Sequence, residues 1–152
     1  MIKFRDIGTY KNAVDVPYCK TAVALKNGMV VTADLAAKTV ALPTATSTKG
    51  EVYIVINRIE KPEIKAPNEY TIEKDEYPRL FLVESLNTRI LDMDMDAVTG
   101  TYSAIAVGNK LAADVDGKLK VISDATGYKT YFEVTEKTSF GGEGIAVKVV
   151  VA

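Results

Sequence analysis

The chain has 152 residues, 47% of them hydrophobic and 26% charged, with a formal net charge of −1. That length and composition suit one domain with a sizeable core, exclude disorder, and give no electrostatic footprint for nucleic acid or an anionic membrane. The one cysteine, Cys19, excludes an internal disulfide and a cysteine-cluster zinc site and suits a reducing cytoplasm, and the absence of histidine removes the usual general base and the commonest metal ligand.

Residues 1–18 read as an N-terminal arm without a clear period, either frayed or holding one short strand over Ile2 to Phe4. The segment MIKFRDIG has no apolar run, so no signal peptide is expected, and no apolar window of spanning length follows. A first β unit is expected over 19–60. Its strands are Thr21 to Leu25, Met29 to Ala33, Thr39 to Leu42 and Glu51 to Ile59, with an Asn27-Gly28 turn, a link from Asp34 to Lys38 and a Thr/Ser/Pro loop from Pro43 to Gly50. A connecting β segment over 61–105 follows. The stretch Glu60 to Tyr70, with Pro62 and Pro67, reads as a surface connection. Beyond it come strands at Tyr70 to Ile72 and Arg79 to Val83, a helical turn at Glu84 to Thr88, and Arg89 to Asp96, whose strict alternation marks a strand with one buried face. The second β unit, 106–152, has strands at Lys110 to Ala113, Leu119 to Ile122, Tyr128 to Val134 and Ile145 to Val151, with turns at Asp116-Gly117 and Asp124 to Gly127.

The two units repeat one pattern. Gly28 to Leu42 matches Gly108 to Ile122 at an offset of 80, placing Asp34 on Asp114 and Lys38 on Lys118, and Val52 to Ile56 echoes Thr130 to Val134 at an offset of 78. Nowhere do apolar residues hold a helical period for three turns. The expected fold is all-β: two similar small β units, barrel- or sandwich-like, that share a core, with antiparallel strands and little helix. The closing strand Ile145 to Val151 is too apolar to be an open edge, so it should be central or covered by another chain.

The acidic residues offer the only chemistry. Asp92, Asp94 and Asp96 resemble the opening of a calcium loop, but Ala97 stands where glycine is needed and Ser103 where the bidentate glutamate is needed. A strand would also spread the three carboxylates along one face, so a solvated strand face is expected. Asp114-Val115-Asp116-Gly117 is explained by a hairpin turn, and its echo at Asp34 lacks the second acid. Glu133, Glu136 and Glu143 could serve as acid and base, yet no spacing selects a pair. Gly141-Gly142-Glu143-Gly144 has no Gly-Lys-Ser/Thr after it and reads as a hairpin or contact loop. Eight tyrosines, Tyr10, Tyr18, Tyr53, Tyr70, Tyr77, Tyr102, Tyr128 and Tyr131, are interface candidates or strand residues with one wet edge. No catalytic, cofactor or metal residue is assigned, and the expectation is that the protein is not an enzyme.

Lys26-Asn27-Gly28-Met29-Val30-Val31, Leu42-Pro43-Thr44 and Gly50-Glu51-Val52-Tyr53-Ile54-Val55 resemble the first half of small head proteins of tailed bacteriophages, the capsid decoration (cement) or head-fibre-base proteins. Ala106-Val107-Gly108-Asn109-Lys110-Leu111, Asp116-Gly117-Lys118-Leu119, Gly127 to Val134 and Glu136 to Gly142 resemble their second half, so the likeness runs from Lys20 to Ala152. The N-terminal arm matches no capsid-anchoring segment, and there is no immunoglobulin-like tail. The resemblance implies a catalytically inert virion protein on the outer capsid surface, assembled in the host cytoplasm. Its implied partners are the major capsid protein, further copies of itself (a trimer) and a head fibre protein, with no nucleic acid and no membrane. The arm is expected to order on the capsid. A receptor- or glycan-binding β module of a phage tail or cell surface is the second reading, and a lyase or hydrolase the third.

Overall fold

The computed structural model describes residues 1–59, 63 and 66–152, apart from the side chains of Ile7 and Asn68. Residues 60–62, 64 and 65 of the Glu60 to Tyr70 connection therefore lie outside the described residues. The protein is all-β. Its twelve strands are β1 Ile2–Phe4, β2 Asp15–Val16, β3 Lys20–Thr21, β4 Val30–Asp34, β5 Thr39–Ala41, β6 Tyr53–Val55, β7 Leu80–Leu82, β8 Ile90–Asp94, β9 Lys110–Ala113, β10 Leu119–Ile122, β11 Thr130–Thr138 and β12 Gly144–Val151. Among the described residues helix is confined to short 3-10 turns, the longest being Ile7–Lys11, and none is long and apolar enough to cross a membrane. The expected turn after β7 is the 3-10 turn Val83–Leu86.

Two six-stranded sheets form, in the orders β1-β8-β12-β11-β9-β10 and β2-β7-β6-β4-β5-β3. The repeat is visible in the hydrogen bonds. The Gly28 N–H donates to Val55 O and Val55 N–H to Met29 O, at 2.8 and 2.9 Å; the Gly108 N–H donates to Val134 O and Val134 N–H to Asn109 O at the same two distances. Gly28 and Gly108 both hold positive φ, +93° and +89°, where a side chain would be strained. The pairing β2–β7 recurs as β8–β12: Leu82 N–H donates to Val14 O and Val149 N–H to Arg89 O, each at 2.9 Å. Even the parallel contact of β3 with β5 recurs as the single parallel bridge of Val98 with Leu119. The segment 61–105 thus divides: β7 completes the first unit, β8 and the Val98 bridge belong to the second, and β2 comes from the arm.

The register differs from the one expected. Val31 pairs with Tyr53 as Leu111 pairs with Phe132, so Tyr53 falls on Phe132, an offset of 79 and not 78. Ala33 pairs with Val40 as Ala113 pairs with Leu119, so the return strand is offset by 79 and not 80. The first turn is one residue longer, and Lys38 falls on Gly117 and not on Lys118. Both sit in the left-handed region, at φ 57° and 80°. Several expected strands also shorten. Leu25 and Ile72 meet only in an isolated bridge, Glu51 to Ile59 contributes just Tyr53–Val55, and β8 stops at Asp94, where the 3-10 turn Met95–Ala97 begins.

Two cores explain the patterning. Between the sheets lie Phe4, Val30, Ile54, Phe81, Leu91, Met93, Leu111, Phe132 and Val147 among others. On the far face of the β2–β3 sheet, Val31, Tyr53, Val55 and Leu80 pack beneath Cys19, Leu25, Tyr70 and Ile72. Adjacent residues of β6 and β7, and Val30 and Val31 of β4, enter opposite cores, so these stretches are continuously apolar where a one-sided strand would alternate. The closing strand β12 is central, between β8 and β11, as its composition requires.

The arm is not frayed. Ile2 and Phe4 are 8% and 7% exposed and belong to the main core, which contributes roughly 1.5–3 kcal/mol for each side chain. Phe4 meets the Tyr10 ring edge-on at 4.6 Å and the Phe81 ring at 5.1 Å. The expectation that the arm orders only on a partner is overturned for β1, because its apolar face and its ladder to β8 are both satisfied within the chain.

Candidate functional site

The acidic cluster on β8 comes first, because burial there contradicts the solvated face expected from alternation. Asp92 is 6% and Asp94 5% exposed. A buried carboxylate must be paired, and both are. Arg5 reaches Asp92 with Nη2 at 2.6 Å and Nε at 3.3 Å, and extends Nη1 to Glu136 at 3.0 Å. The bond to Asp92 is the first cause of a raised Arg5 pKa, so the guanidinium stays charged. Asp94 accepts the Met1 ammonium at 2.6 Å through Oδ2 and caps the following 3-10 turn, accepting the Asp96 N–H through Oδ1 at 3.2 Å. These carboxylates fasten β1 to the sheet. Asp96 lies beyond the strand, so the three do not share one face.

The remaining carboxylates are dispersed. Asp114 accepts from Lys120 Nζ and from the Val115 N–H, both at 2.8 Å, and the lysine bond is the first cause holding its carboxyl below the usual range. Asp116 accepts the Lys118 N–H at 2.9 Å within the hairpin turn. Glu133 is opposite Lys110 on one side and Lys148 on the other. Glu143 lines a recess of about 290 Å³ with Asp94, Asp96 and Gly141. Among the described residues, no group of three or more Asp, Glu or Cys side chains is arranged to hold a metal ion.

The glycine loop joins β11 to β12 as a hairpin. A Cβ on Gly141 would lie 2.8 Å from the Asp94 Cβ, and one on Gly144 would collide with the Phe140 carbonyl and stand 3.0 Å from the Met93 carbonyl. The loop is therefore pressed against β8 and has a fixed shape. A cleft of about 530 Å³ opens between the units, lined by Lys26 and Met29 from the first and by Asp96, Val98, Asp116 and Lys118 from the second. Its floor is tight: the Val30 N–H donates to Gly117 O at 2.7 Å, and a Cβ on Gly117 would lie 2.7 Å from Met29 Cε. It offers charge of both signs and no activated nucleophile. Cys19 is fully buried, and burial pushes its thiol pKa up, which leaves it a core residue.

The tyrosines separate into three sets, of which one, Tyr102, Tyr128 and Tyr131, is half-buried. Tyr53 and Tyr70 are buried, whereas Tyr10, Tyr18 and Tyr77 are 48%, 47% and 58% exposed. Sequence reasoning missed the Arg5–Asp92–Glu136 contact entirely, and the alternation of Ile2, Lys3, Phe4 and Arg5 was the available signal for a strand that carries it. No family model, no curated protein and no solved structure matches this chain.

Proposed function

We propose that the protein is a non-enzymatic virion protein of a tailed bacteriophage that decorates and stabilises the capsid, or anchors head fibres, by binding the major capsid protein. The resemblance of its turn and strand phrases to head decoration proteins supports the reading. The observation that carries the non-catalytic part is the use of its buried carboxylates: Asp92 and Asp94 are consumed by cations of the same chain that hold β1 in place. A catalytic carboxylate must be free to act on a substrate, and these two are held in ion pairs within the chain, even though Asp94 borders the recess beside Glu143. Binding would use sheet edges and exposed tyrosines, and self-association into a trimer would multiply weak contacts.

Co-sedimentation with capsids assembled from the major capsid protein tests the proposal. Saturable binding that raises the capsid's melting temperature is the expected result. A folded protein that stays in the supernatant at every capsid concentration would overturn it. Tyr10, Tyr18 and Tyr77 favour the second reading, a glycan- or receptor-binding module, because exposed aromatic rings can stack on sugars. Binding to a glycan array by the isolated protein would select that reading instead.

A further inference from the structure

Strand β1 is the one strand without a counterpart in the other unit, and it lies at the end of its sheet. The Asp94 N–H donates to Met1 O and the Arg5 N–H to Ile90 O, each at 3.0 Å. In an antiparallel ladder the peptide groups alternate in direction, so Lys3 turns its own toward β8 while Ile2 and Phe4 turn theirs away. No described strand pairs with that outer side. Other edges are managed differently. At β3, the Thr21 N–H donates to Glu76 O and the Asp75 N–H to Thr21 O. At β10, the Thr99 N–H donates to Leu119 O. At β2 only two residues pair before Pro17.

A groove of about 330 Å³ runs beside the β1 edge, lined by Ile2, Lys3, Tyr10, Ile56, Asn57 and Arg79 among others. No carboxylate lines it among the described residues. Lys3 is exposed; its ammonium lies 5.1 Å from the Phe140 ring and makes no ion pair among the described residues. Arg79 binds Asp15 through Nε at 3.0 Å, and its planar head is held over Phe81, which leaves both Nη groups without a partner among the described residues. The facing wall is rigid. The Asn57 N–H donates to Asn27 Oδ1 at 2.6 Å, its carbonyl accepts from Asn27 Nδ2 at 3.0 Å, and its side chain bonds Tyr70 and the Arg79 N–H. A site built before binding loses little order on binding.

We propose that the outer edge of β1 and this groove form a docking site for an extended, acidic polypeptide segment of a partner protein, which adds to β1 as a further strand. Ile2 and Phe4 each offer one donor and one acceptor at a strand's two-residue repeat, the pattern another peptide backbone completes. A phosphate or sulfate chain supplies acceptors alone and would leave both carbonyls unmatched. Carboxylates at alternate positions of the incoming strand reach Lys3 and Arg79, and the residues between them pack on Ile2 and Ile56. The site goes beyond the capsid reading, since it names the surface and the chemistry whatever the partner's origin.

The test is a titration of the isotopically labelled full chain with acetylated, amidated hexapeptides of alternating Glu-Val, Glu-Thr and Asp-Ile sequence, followed by amide NMR. Saturable shifts centred on Ile2 to Phe4, slowed amide exchange at Ile2 and Phe4, and about fivefold weaker binding for each of Lys3→Glu and Arg79→Gln are expected. Lys3 is exposed but opposite Asp92, so Lys3→Glu is compared with the uncharged Lys3→Gln, which keeps the parent melt and whose loss of binding is read at the site. Heparin should compete through charge without slowing exchange at Ile2 or Phe4. The proposal is overturned if all three acidic peptides give no saturable shift at millimolar concentration. Equal binding by a Lys-Val peptide, or the same exchange protection from heparin, also overturns it.

Discussion

Truncation of Phe4 tests whether β1 is a structural strand. Phe4 is 7% exposed and sits edge-on to Tyr10 at 4.6 Å and to Phe81 at 5.1 Å, so it ties the arm to a strand of the opposite sheet. Removing a buried phenylalanine side chain costs about 3–5 kcal/mol. Tyr10 is 48% exposed and can lean into the space, which places Phe4→Ala at the lower end, about 3 kcal/mol. For a chain of this size that is a fall in Tm of about 6–12 °C. Urea unfolding followed by far-ultraviolet circular dichroism measures the free energy. Hydrogen exchange at the Asp94 amide, which donates to Met1 O, reports the β1–β8 ladder directly. Phe4→Leu should recover more than half of the loss. A cost below about 1 kcal/mol, with exchange at Asp94 unchanged, would refute the structural role of the strand.

Arg5→Met leaves the Asp92 carboxylate buried without its cation and should cost about 2 kcal/mol, since Arg5 itself is partly exposed; adding Asp92→Leu should restore most of that, and strictly additive losses in a double-mutant cycle would show that the two are uncoupled. Gly117→Ala should cost about 2 kcal/mol or more in a urea melt, because its Cβ would meet Met29 Cε at 2.7 Å and Leu42 Cδ2 at 2.9 Å on a backbone of φ +80°. Lys38→Gly, at the matching position of the other unit, should instead stabilise by about 0.5 kcal/mol, and a loss there would contradict the assigned register. Burial first, then the 2.8 Å bond to Glu51, pushes the Tyr53 pKa up to about 12. A folded-state value above the unfolded one gives stability that is complete below about pH 10 and lost as pH rises toward 12, so Tyr53→Phe should flatten the alkaline limb of the stability profile. Identical alkaline slopes for the two proteins would count against that assignment.

The β class and the repeat were legible because turn glycines and alternating β-branched residues act locally. Gly28 and Gly108 announce the same left-handed turn, and the strands after them need only their own composition. The one-residue insertion was hidden because Lys38 holds a conformation that sequence associates with glycine, and its chance match to Lys118 absorbed the shift. The burial of Asp92 and Asp94 was hidden for another reason. Alternation says which side chains share a face, but not whether that face is wet, and the cation that allows Asp92 to be buried stands 87 residues away. Strand β6 shows the converse: Tyr53, Ile54 and Val55 are apolar on both faces because a second core lies on the far face of the β2–β3 sheet. The β1 groove draws on residues near 3, 56 and 79, and no motif spans such distances.

The pairing of β1 with β8, and of β8 with β12, also sets the order in which the chain can fold as it is synthesised. Strand β1 has nowhere to dock until Ile90 to Asp94 has left the ribosome, and β8 lacks its inner neighbour until Gly144 to Val151 has followed. The first unit can assemble β4, β5, β6 and β7 before then, but the sheet that carries β1 closes only after β12 has emerged. Such distant pairings fold slowly, because loop-closure entropy is spent before the contacts that offset it exist. Nascent chains should therefore carry an exposed Ile2–Phe4 segment until Ile90 to Asp94 has emerged, and this interval is when a chaperone would find it.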